Sequence, residues 1–277
     1  MARGDRRAFV IAAVLALTVA VSVPREASAR SGLPVTDPTG TARTPENTAT
    51  AAGIDVGDYQ HSKAPIRWRI VARQYQFAFV KATEGTHYVN RYYRSDRRAA
   101  LAAGLYVGAY AFATPDDASG AAEANYFLQH SGYSMGRKLL FPMVDLEYDP
   151  YNRHTPCYGL DRTAMISWIT SYSAAIYGGL GVRPIIYTQA SWWNLCTGGT
   201  SAFNGHPLWV GSNGRSAALP AGFTAWSIWQ SGVGAAAGVR GPVDVDAFNG
   251  TVAQLRSRLT NPNAKPWRQN RPGVRPA

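Results

Sequence analysis

The sequence predicts an α/β fold, an eight-stranded β/α barrel with reduced helices in its second half, which is an incomplete form of the TIM barrel. Short runs of β-branched and aromatic residues alternate with longer amphipathic stretches, as in parallel strands joined by crossover helices. Eight such runs occur, and the last three leave little room for helices between them. An open, doubly wound sheet is the competing architecture, but no glycine-rich phosphate loop follows any of the runs.

Each predicted strand is a short apolar run bounded by turn-forming or charged residues. In chain order the strands are Gly53 to Val56, Phe77 to Thr83, Tyr106 to Phe112, Leu139 to Leu146, Pro184 to Thr188, Leu208 to Gly211, Ala225 to Gln230 and Val243 to Ala247. The predicted helices are Ile66 to Arg73, Tyr92 to Ala103, Pro115 to His130, Arg162 to Tyr177 and the shorter Ser191 to Leu195.

Capping residues indicate where several of these helices begin and end. Thr114 followed by Pro115 predicts a helix start, and Asp161 is suited to cap the next long helix. Gly104 and Gly178 lie where helices should end, because glycine readily adopts the left-handed conformation that follows a helix.

The two ends of the chain differ in composition from its middle. Residues 1–29 combine early arginines, an apolar stretch and small residues at a cleavage position, as in a secretory signal peptide. Residues 30–50 read as a linker or pro-segment, and residues 261–277 as a basic, disordered tail. The sequence therefore predicts a secreted, extracellular protein with one domain over residues 51–260 and no membrane attachment after signal removal.

Two cysteines, Cys157 and Cys196, occur in this chain. In an exported protein an even number of cysteines favours a disulfide over a metal site or a thiol nucleophile. The sequence therefore predicts a bridge between them.

The chain is strongly basic, with a formal net charge of +11 at pH 7. An exported basic protein tends to adhere to polyanions, and the anionic polymers of bacterial walls fit this charge as well as nucleic acid does. Charge alone does not choose between them. No repeat or coiled-coil pattern indicates assembly, so we expect a monomer.

Acidic residues lie within three of the predicted strands. Asp145 and Glu147 end the fourth strand, and they share a face because side chains alternate along a strand. Asp244 and Asp246 have the same spacing in the eighth strand, and Asp55 lies in the first. Closure of the barrel would bring Asp55 near Asp244, with the fourth-strand pair facing them. Acids in apolar strands are costly unless they are paired or solvated in a cleft, so these residues predict an active site at the mouth.

Crowded carboxylates resist losing their protons, so at least one should stay protonated near neutral pH while its neighbours are ionised. Glycoside hydrolysis requires this division, because one acid protonates the leaving oxygen while a carboxylate acts at the anomeric carbon. The five histidines are scattered without metal-ligand spacing, and no Gly-x-Ser-x-Gly elbow supports a serine hydrolase. We therefore expect a glycosidase that needs no metal.

Aromatic side chains occur near the same strand ends, where they could pack against the apolar faces of sugar rings. The predicted substrate-binding residues are Tyr110, Phe112, Tyr187, Trp209, Trp229, Gln230 and Asp246. Trp226 is interpreted as a core residue instead.

Six spaced motifs resemble glycoside hydrolase family 25, the bacterial and phage muramidases also called Chalaropsis-type lysozymes. The motifs are Gly53-Ile54-Asp55-Val56, Phe79-Val80-Lys81-Ala82-Thr83-Glu84-Gly85, Gly108-Ala109-Tyr110-Ala111-Phe112, Asp145-Leu146-Glu147, Trp229-Gln230 and Val243-Asp244-Val245-Asp246-Ala247-Phe248. The resemblance covers residues 53 to 258. It implies an incomplete β/α barrel, cleavage of the β-1,4 bond between N-acetylmuramic acid and N-acetylglucosamine in peptidoglycan, and no cofactor.

By position in these motifs, the resemblance implies that Glu147 is the general acid and Asp145 its carboxylate partner. Asp55 and Asp244 match the remaining acidic positions. Ala111 departs from the histidine frequent in relatives, which weakens the expected substrate contact on the third strand. The cysteine pair resembles the disulfide of the actinobacterial branch.

Two other functions compete with a muramidase. A catalytically idle wall-binding module would need only the basic charge and an aromatic groove, whereas binding alone has no need of a buried acid pair. A chitinase-like barrel should carry a run of alternating aspartates ending in glutamate on its fourth strand, and Asp145-Leu146-Glu147 has only the last two members. The sequence also leaves open whether an aspartate nucleophile or the acetamide of the substrate attacks the anomeric carbon.

Overall fold

The structure is a computed structural model that describes residues 50–136 and 138–261. The predicted signal peptide, nearly all of the predicted linker and nearly all of the predicted tail lie outside the described residues. The strands are β1 Thr50–Val56, β2 Phe77–Glu84, β3 Tyr88–Val89, β4 Tyr106–Phe112, β5 Met143–Leu146, β6 Ile185–Thr188, β7 Leu208–Gly211, β8 Ile228–Gly234 and β9 Val243–Thr251. The helices are α1 Trp68–Val71, α2 Tyr93–Ala102, α3 Gly120–Ser131, α4 Arg162–Leu180, α5 Ala190–Thr197 and α6 Val252–Leu259.

Eight strands close into a barrel. The sheet order is β1-β9-β8-β7-β6-β5-β4-β2-β3, and an additional pairing of β1 with β2 completes the ring. The two-residue β3, which was not predicted, pairs only with the end of β2. The predicted barrel with eight strands is therefore confirmed, as are the reduced crossovers, because no helix lies between β7 and β8 or between β8 and β9.

The direction of the last strand differs from the sequence expectation. The first seven barrel strands are parallel, whereas β9 runs antiparallel to both β8 and β1. A short hairpin connects β8 to β9, and a parallel pair would have needed a crossover of a dozen or more residues. As a result, the start of β9 rather than its end lies at the mouth formed by the carboxyl ends of the other strands.

The predicted start of α3 and the predicted end of α4 differ from the structure by the largest margins among the helices. α3 begins at Gly120 rather than Pro115, and the hydroxyl of Ser119 accepts the N-cap hydrogen bond from the backbone N–H of Ala122. α4 continues past Gly178 to Leu180, and its C-cap is Gly181, where φ is 69°. The predicted cap at Asp161 is confirmed by a 2.8 Å bond from the N–H of Ala164.

Helix α6 was not predicted. Its N-cap Thr251 and Gln254 form a capping box, and the Thr-x-x-Gln spacing of these residues is a sequence pattern that predicts the start of a helix. None of the helices in the described residues is long and apolar enough to cross a membrane.

The barrel interior is filled by large side chains, so it is a packed core and not a channel. Phe77, Phe79 and Phe248 are fully buried inside it, and leucines of α6 cover the end opposite the mouth. Gly53 makes room for this packing, because a Cβ atom there would lie 2.2 Å from the ring of Phe77. A rigid floor of this kind holds side chains at the mouth in fixed positions.

The loop after β5 is tied to the helix that follows β6. Cys157 and Cys196 form the predicted disulfide, with 5.4 Å between their Cα atoms. The indole N–H of Trp192 also donates to the backbone oxygen of Pro156 over 3.0 Å. A bridge spanning 39 residues stabilises the fold by about 4 kcal/mol in the loop-entropy treatment. It also restrains the segment that directly follows Glu147.

Candidate active site

Four carboxylates converge at the mouth of the barrel, and all four were predicted. Asp145 lies on β5, and Glu147 immediately follows the strand, two residues after Asp145. Because side chains alternate along a strand, both point into the barrel. Asp55 on β1 stands directly opposite Asp244 on β9 in the antiparallel register that closes the barrel. Asp55 and Asp145 are each 8% exposed, whereas Glu147 and Asp244 are half-buried. Glu147 is therefore better placed than Asp145 to meet a ligand.

Neighbouring strands hold Asp55 by a relay of side-chain hydrogen bonds. The amide nitrogen of Gln230 on β8 donates to Asp55 Oδ2 over 2.9 Å. The hydroxyl of Tyr187 on β6 donates to Gln230 Oε1 over 2.7 Å, which fixes the orientation of the amide. Gln230 and Tyr187 therefore act in this structure as supports of an acid.

The environment of the cluster favours protonated carboxyl groups. Burial is the main reason that the pKa of Glu147 is raised to about 7; the charge of Lys81 opposes this rise, and Asp244 adds to it by a smaller amount. Burial likewise raises the pKa of Asp244 to about 6 and that of Asp55 well above its usual range. The pKa of Asp145 is raised by burial and then by Glu147. Groups this close lose their protons in shared steps, so the cluster retains at least one proton near neutral pH.

Lys81 faces these acids, and it was not assigned a role from the sequence. It lies on β2 two residues after the inward-facing Phe79, so strand alternation would have placed it inside the barrel. Its ammonium group pairs with Glu84 and lies 4.9 Å from the centre of the Phe112 ring. It lowers the pKa of both Asp145 and Glu147, which limits the charge repulsion in the site.

The predicted aromatic residues divide into two groups by depth. Tyr110 and Tyr187 lie among the acids, since Asp55, Asp145, Asp244 and Glu147 all raise the pKa of both phenols after burial. Phe112 is 8% exposed beneath Lys81.

Trp229 is half-buried, and its indole N–H donates to the backbone oxygen of Ser212 over 3.0 Å. By contrast, Trp209 is fully buried and Asp246 is 4% exposed, so neither presents a surface to a ligand in this structure.

The loop after β5 adds aromatic side chains that sequence reasoning missed. Tyr148 and Tyr151 are exposed, and the hydroxyl of Tyr151 donates to Glu84 across the mouth. Tyr158 follows the bridged Cys157 with a left-handed backbone (φ 57°), and its phenol is buried. Burial and then the charge of Asp145 raise the pKa of Tyr158. An L-residue held in this conformation is strained, and such strain is concentrated at functional sites.

Within the described residues, no group of three or more histidine, cysteine, aspartate or glutamate side chains is arranged to hold a metal ion. The ionisable groups that interact at the mouth are carboxylates, phenols and the ammonium group of Lys81.

Comparison with known proteins identifies the family. The model of the Glycosyl hydrolases family 25 matches residues 54–239, a span that contains Asp55, Asp145 and Glu147. The chain is 39% identical to Lysozyme M1 of Streptomyces globisporus over 225 residues, which cover 78% of this chain and 74% of that protein. It is 37% identical to the N,O-diacetylmuramidase of a Chalaropsis species over 190 residues, which cover 66% of this chain and 88% of the relative.

A solved structure shares the fold as well as the sequence. The bacterial lysozyme from Streptomyces coelicolor superposes with a TM-score of 0.72 at 38% identity, covering 76% of this chain and 97% of the lysozyme. The family resemblance seen in the six sequence motifs is thus confirmed over most of the folded domain. This chain belongs to glycosyl hydrolase family 25.

Proposed function

We propose that this protein is a secreted muramidase that hydrolyses the β-1,4 bond between N-acetylmuramic acid and N-acetylglucosamine in bacterial peptidoglycan. The observation that carries the proposal is the convergence of Asp55, Asp145, Glu147 and Asp244 at one mouth of the barrel. Family relatives named as a lysozyme and an N,O-diacetylmuramidase support the same substrate. No cofactor is part of the proposed reaction.

Glu147 is proposed as the general acid. It is more exposed than Asp145, and its pKa, raised to about 7, leaves it largely protonated in mildly acidic solution and about half protonated at neutral pH. It can therefore give a proton to the glycosidic oxygen as the bond breaks. Water then replaces the leaving sugar at the anomeric carbon, and the carboxylate that remains takes a proton from that water.

Asp145 is proposed as the carboxylate partner of Glu147. One of its oxygens is buried without a hydrogen-bond partner among the described residues, so it is free to act on a substrate. Either Asp145 attacks the anomeric carbon, or it orients and stabilises the acetamide of the substrate while that group attacks. In both routes its negative charge stabilises a positively charged transition state.

Asp55 and Asp244 are proposed to complete the site from the other side of the mouth. Their direct opposition across β1 and β9 supplies further negative potential near the developing positive charge. Tyr110, Phe112, Tyr187, Trp229 and Gln230 are proposed to bind or position the sugar, Tyr187 and Gln230 in part through their support of Asp55.

The bond that is cleaved can be tested by labelling the new reducing ends. Purified walls are digested with the full-length secreted protein, and the products are reduced with labelled borohydride. A muramidase yields labelled muramitol because the cut leaves N-acetylmuramic acid at the reducing end. Labelled glucosaminitol would instead identify a glucosaminidase, and no label in either sugar would favour an idle wall-binding module.

Basic residues on the outside of the barrel are proposed to hold the enzyme on anionic wall polymers. Helix α2 and the turn before it carry Arg91, Arg94, Arg97 and Arg98, whereas the acids of the catalytic cluster lie at the mouth. An anionic polymer would therefore be attracted to the surface that these four arginines form, here called the flank, and not to the catalytic cluster. No sequence-specific nucleic-acid binding and no membrane partner are proposed, and the enzyme is proposed to act as a monomer.

Wall binding should weaken as salt concentration rises. Attraction between exposed charges is screened over about 8 to 10 Å at ordinary ionic strength, so a flank-mediated contact is lost at high salt. The measurement is co-sedimentation of the Glu147→Gln variant, which should not digest the walls, at increasing sodium chloride. Replacing Arg94 and Arg98 by glutamine should lower binding at low salt only. Retention that does not change with salt would show that the sugar groove alone holds the enzyme.

A further inference from the structure

Asp246 is an acid that the proposed reaction does not use. It lies on β9 two residues after Asp244, so both side chains point into the barrel, with Asp246 one layer deeper. Its backbone pairs with Gly53 on one side and with Gln230 on the other. Asp246 therefore lies one layer below Asp55 and beside Gln230, next to the relay that holds Asp55.

The carboxyl group of Asp246 is buried with little polar support. Neither of its oxygens has a hydrogen-bond partner among the described residues, and the same is true of the indole N–H of Trp209 on β7. Trp209 lies close enough to lower the pKa of Asp246, although the pair does not reach the geometry of a full hydrogen bond. These two orphaned polar groups face one another across the floor of the site.

The charged groups around Asp246 are also acids. Asp244 faces it from its own strand and Asp55 from β1, and the phenol of Tyr75, which precedes β2 and whose pKa is raised mainly by burial, also lies within electrostatic range. Within the described part of the chain, no lysine, arginine or histidine lies within ion-pair distance of Asp246. A negative charge in this position would be desolvated and repelled, and burial is the larger of these two penalties.

We propose that Asp246 is a positioning residue that acts as a neutral carboxylic acid. Together with Trp209 it fills the space below Asp55 and beside Gln230 and keeps that relay in place. Its proton keeps a negative charge out of the floor of the site, below Asp55 and Asp244. Asparagine, which has nearly the same shape and no charge, should therefore replace it. The kinetic part of this inference rests on the proposed function, whereas its stability part does not.

The protonation state is tested by thermal unfolding of wild type and Asp246→Asn from pH 4 to pH 8. An aspartate whose pKa is raised by folding stabilises the protein fully below the unfolded-state pKa, near 3.9, and this contribution is lost as pH rises towards the folded value. Asparagine does not ionise, so the Asp246→Asn variant does not lose this stability as pH rises. Its Tm should exceed that of wild type by a margin that grows by about 3 to 5 °C per pH unit. Parallel Tm profiles would overturn the proposal.

The positioning role is tested by steady-state hydrolysis of cell walls. Asp246→Asn should keep kcat within about threefold of wild type, whereas Asp246→Ala leaves a gap beside Gln230 and below Asp55 and should lower kcat about 10-fold or more with little change in KM. Asp244→Asn is the matched comparison on the same strand and should be severe. A loss in Asp246→Asn as large as in Asp244→Asn would show that the charge of Asp246 is required, and would overturn the proposal. If wild type itself released no sugar, the unfolding result would still decide the protonation state.

Discussion

Replacing Glu147 with glutamine is expected to lower kcat on peptidoglycan by about 10²-fold to 10⁴-fold, the range typical for loss of a general acid. The amide keeps the size of the side chain and loses the proton that the leaving oxygen needs. In wild type, kcat/KM should fall as pH rises through about 7, because burial raises the pKa of Glu147 to about that value and only its protonated form is active. That alkaline limb should disappear in the variant. Reducing-sugar release between pH 4 and pH 9 measures both effects.

A suitable control for this variant is Glu123→Gln. Glu123 is also buried, and burial raises its pKa to about 8, so it is already neutral at pH 7. It lies on α3, where it accepts hydrogen bonds from the backbone N–H and the hydroxyl of Thr114, which an amide oxygen can also do. The control should retain near-normal turnover. Near-normal turnover by a folded Glu147→Gln variant would instead remove Glu147 from the role of proton donor and direct attention to Asp55 and Asp244.

Replacing Asp145 with asparagine is expected to lower kcat by about 10²-fold to 10³-fold, as for the loss of one preorganised electrostatic partner. The amide cannot attack the anomeric carbon and cannot stabilise a positively charged acetamide, so the loss is expected by either route. Wall binding should be preserved, because the variant keeps the aromatic residues and the arginines of the flank. Turnover is measured by reducing-sugar release and binding by co-sedimentation.

Asp161→Asn provides the control for the same chemical change at a distant site. Asp161 caps helix α4, and asparagine is an equally good N-cap, so activity and stability should both be retained. If Asp145→Asn kept more than about a third of wild-type turnover, its charge would not be needed, and the proposed pairing with Glu147 would be wrong.

Strand alternation predicted the acid pair because its period is independent of the rest of the fold. Asp145 and Glu147 had to share a face wherever their strand lay, and closure of the barrel then placed Asp55 beside Asp244. The direction of β9 was not predicted, because residues in an apolar strand show the same alternation in either direction. The same alternation could have assigned Lys81 to the interior, but a single lysine in an apolar run carries no chemical signature of its own.

Depth below the mouth was the property that local sequence could not provide. Asp244 and Asp246 look equivalent in the motif, yet the antiparallel direction of β9 places one at the surface of the site and the other in its floor. Trp209 is similarly buried because its strand enters the barrel beside Phe79, with 4.6 Å between the ring centres. These positions depend on which strands become neighbours. The sequence pattern identified the residues that gather, and tertiary packing determined which of them can meet a ligand.

The pairing of β1 with β9 has a consequence for when the enzyme becomes active. Asp55 and Asp244 come from opposite ends of the domain, and the hydrogen bonds that bring them together also close the barrel. A nascent chain that has not released its last strand has neither a closed barrel nor a complete set of acids. Contacts between such distant segments form late and slowly in folding. Hydrolytic capacity is therefore expected to arise only once the whole domain, including its last strand, has folded.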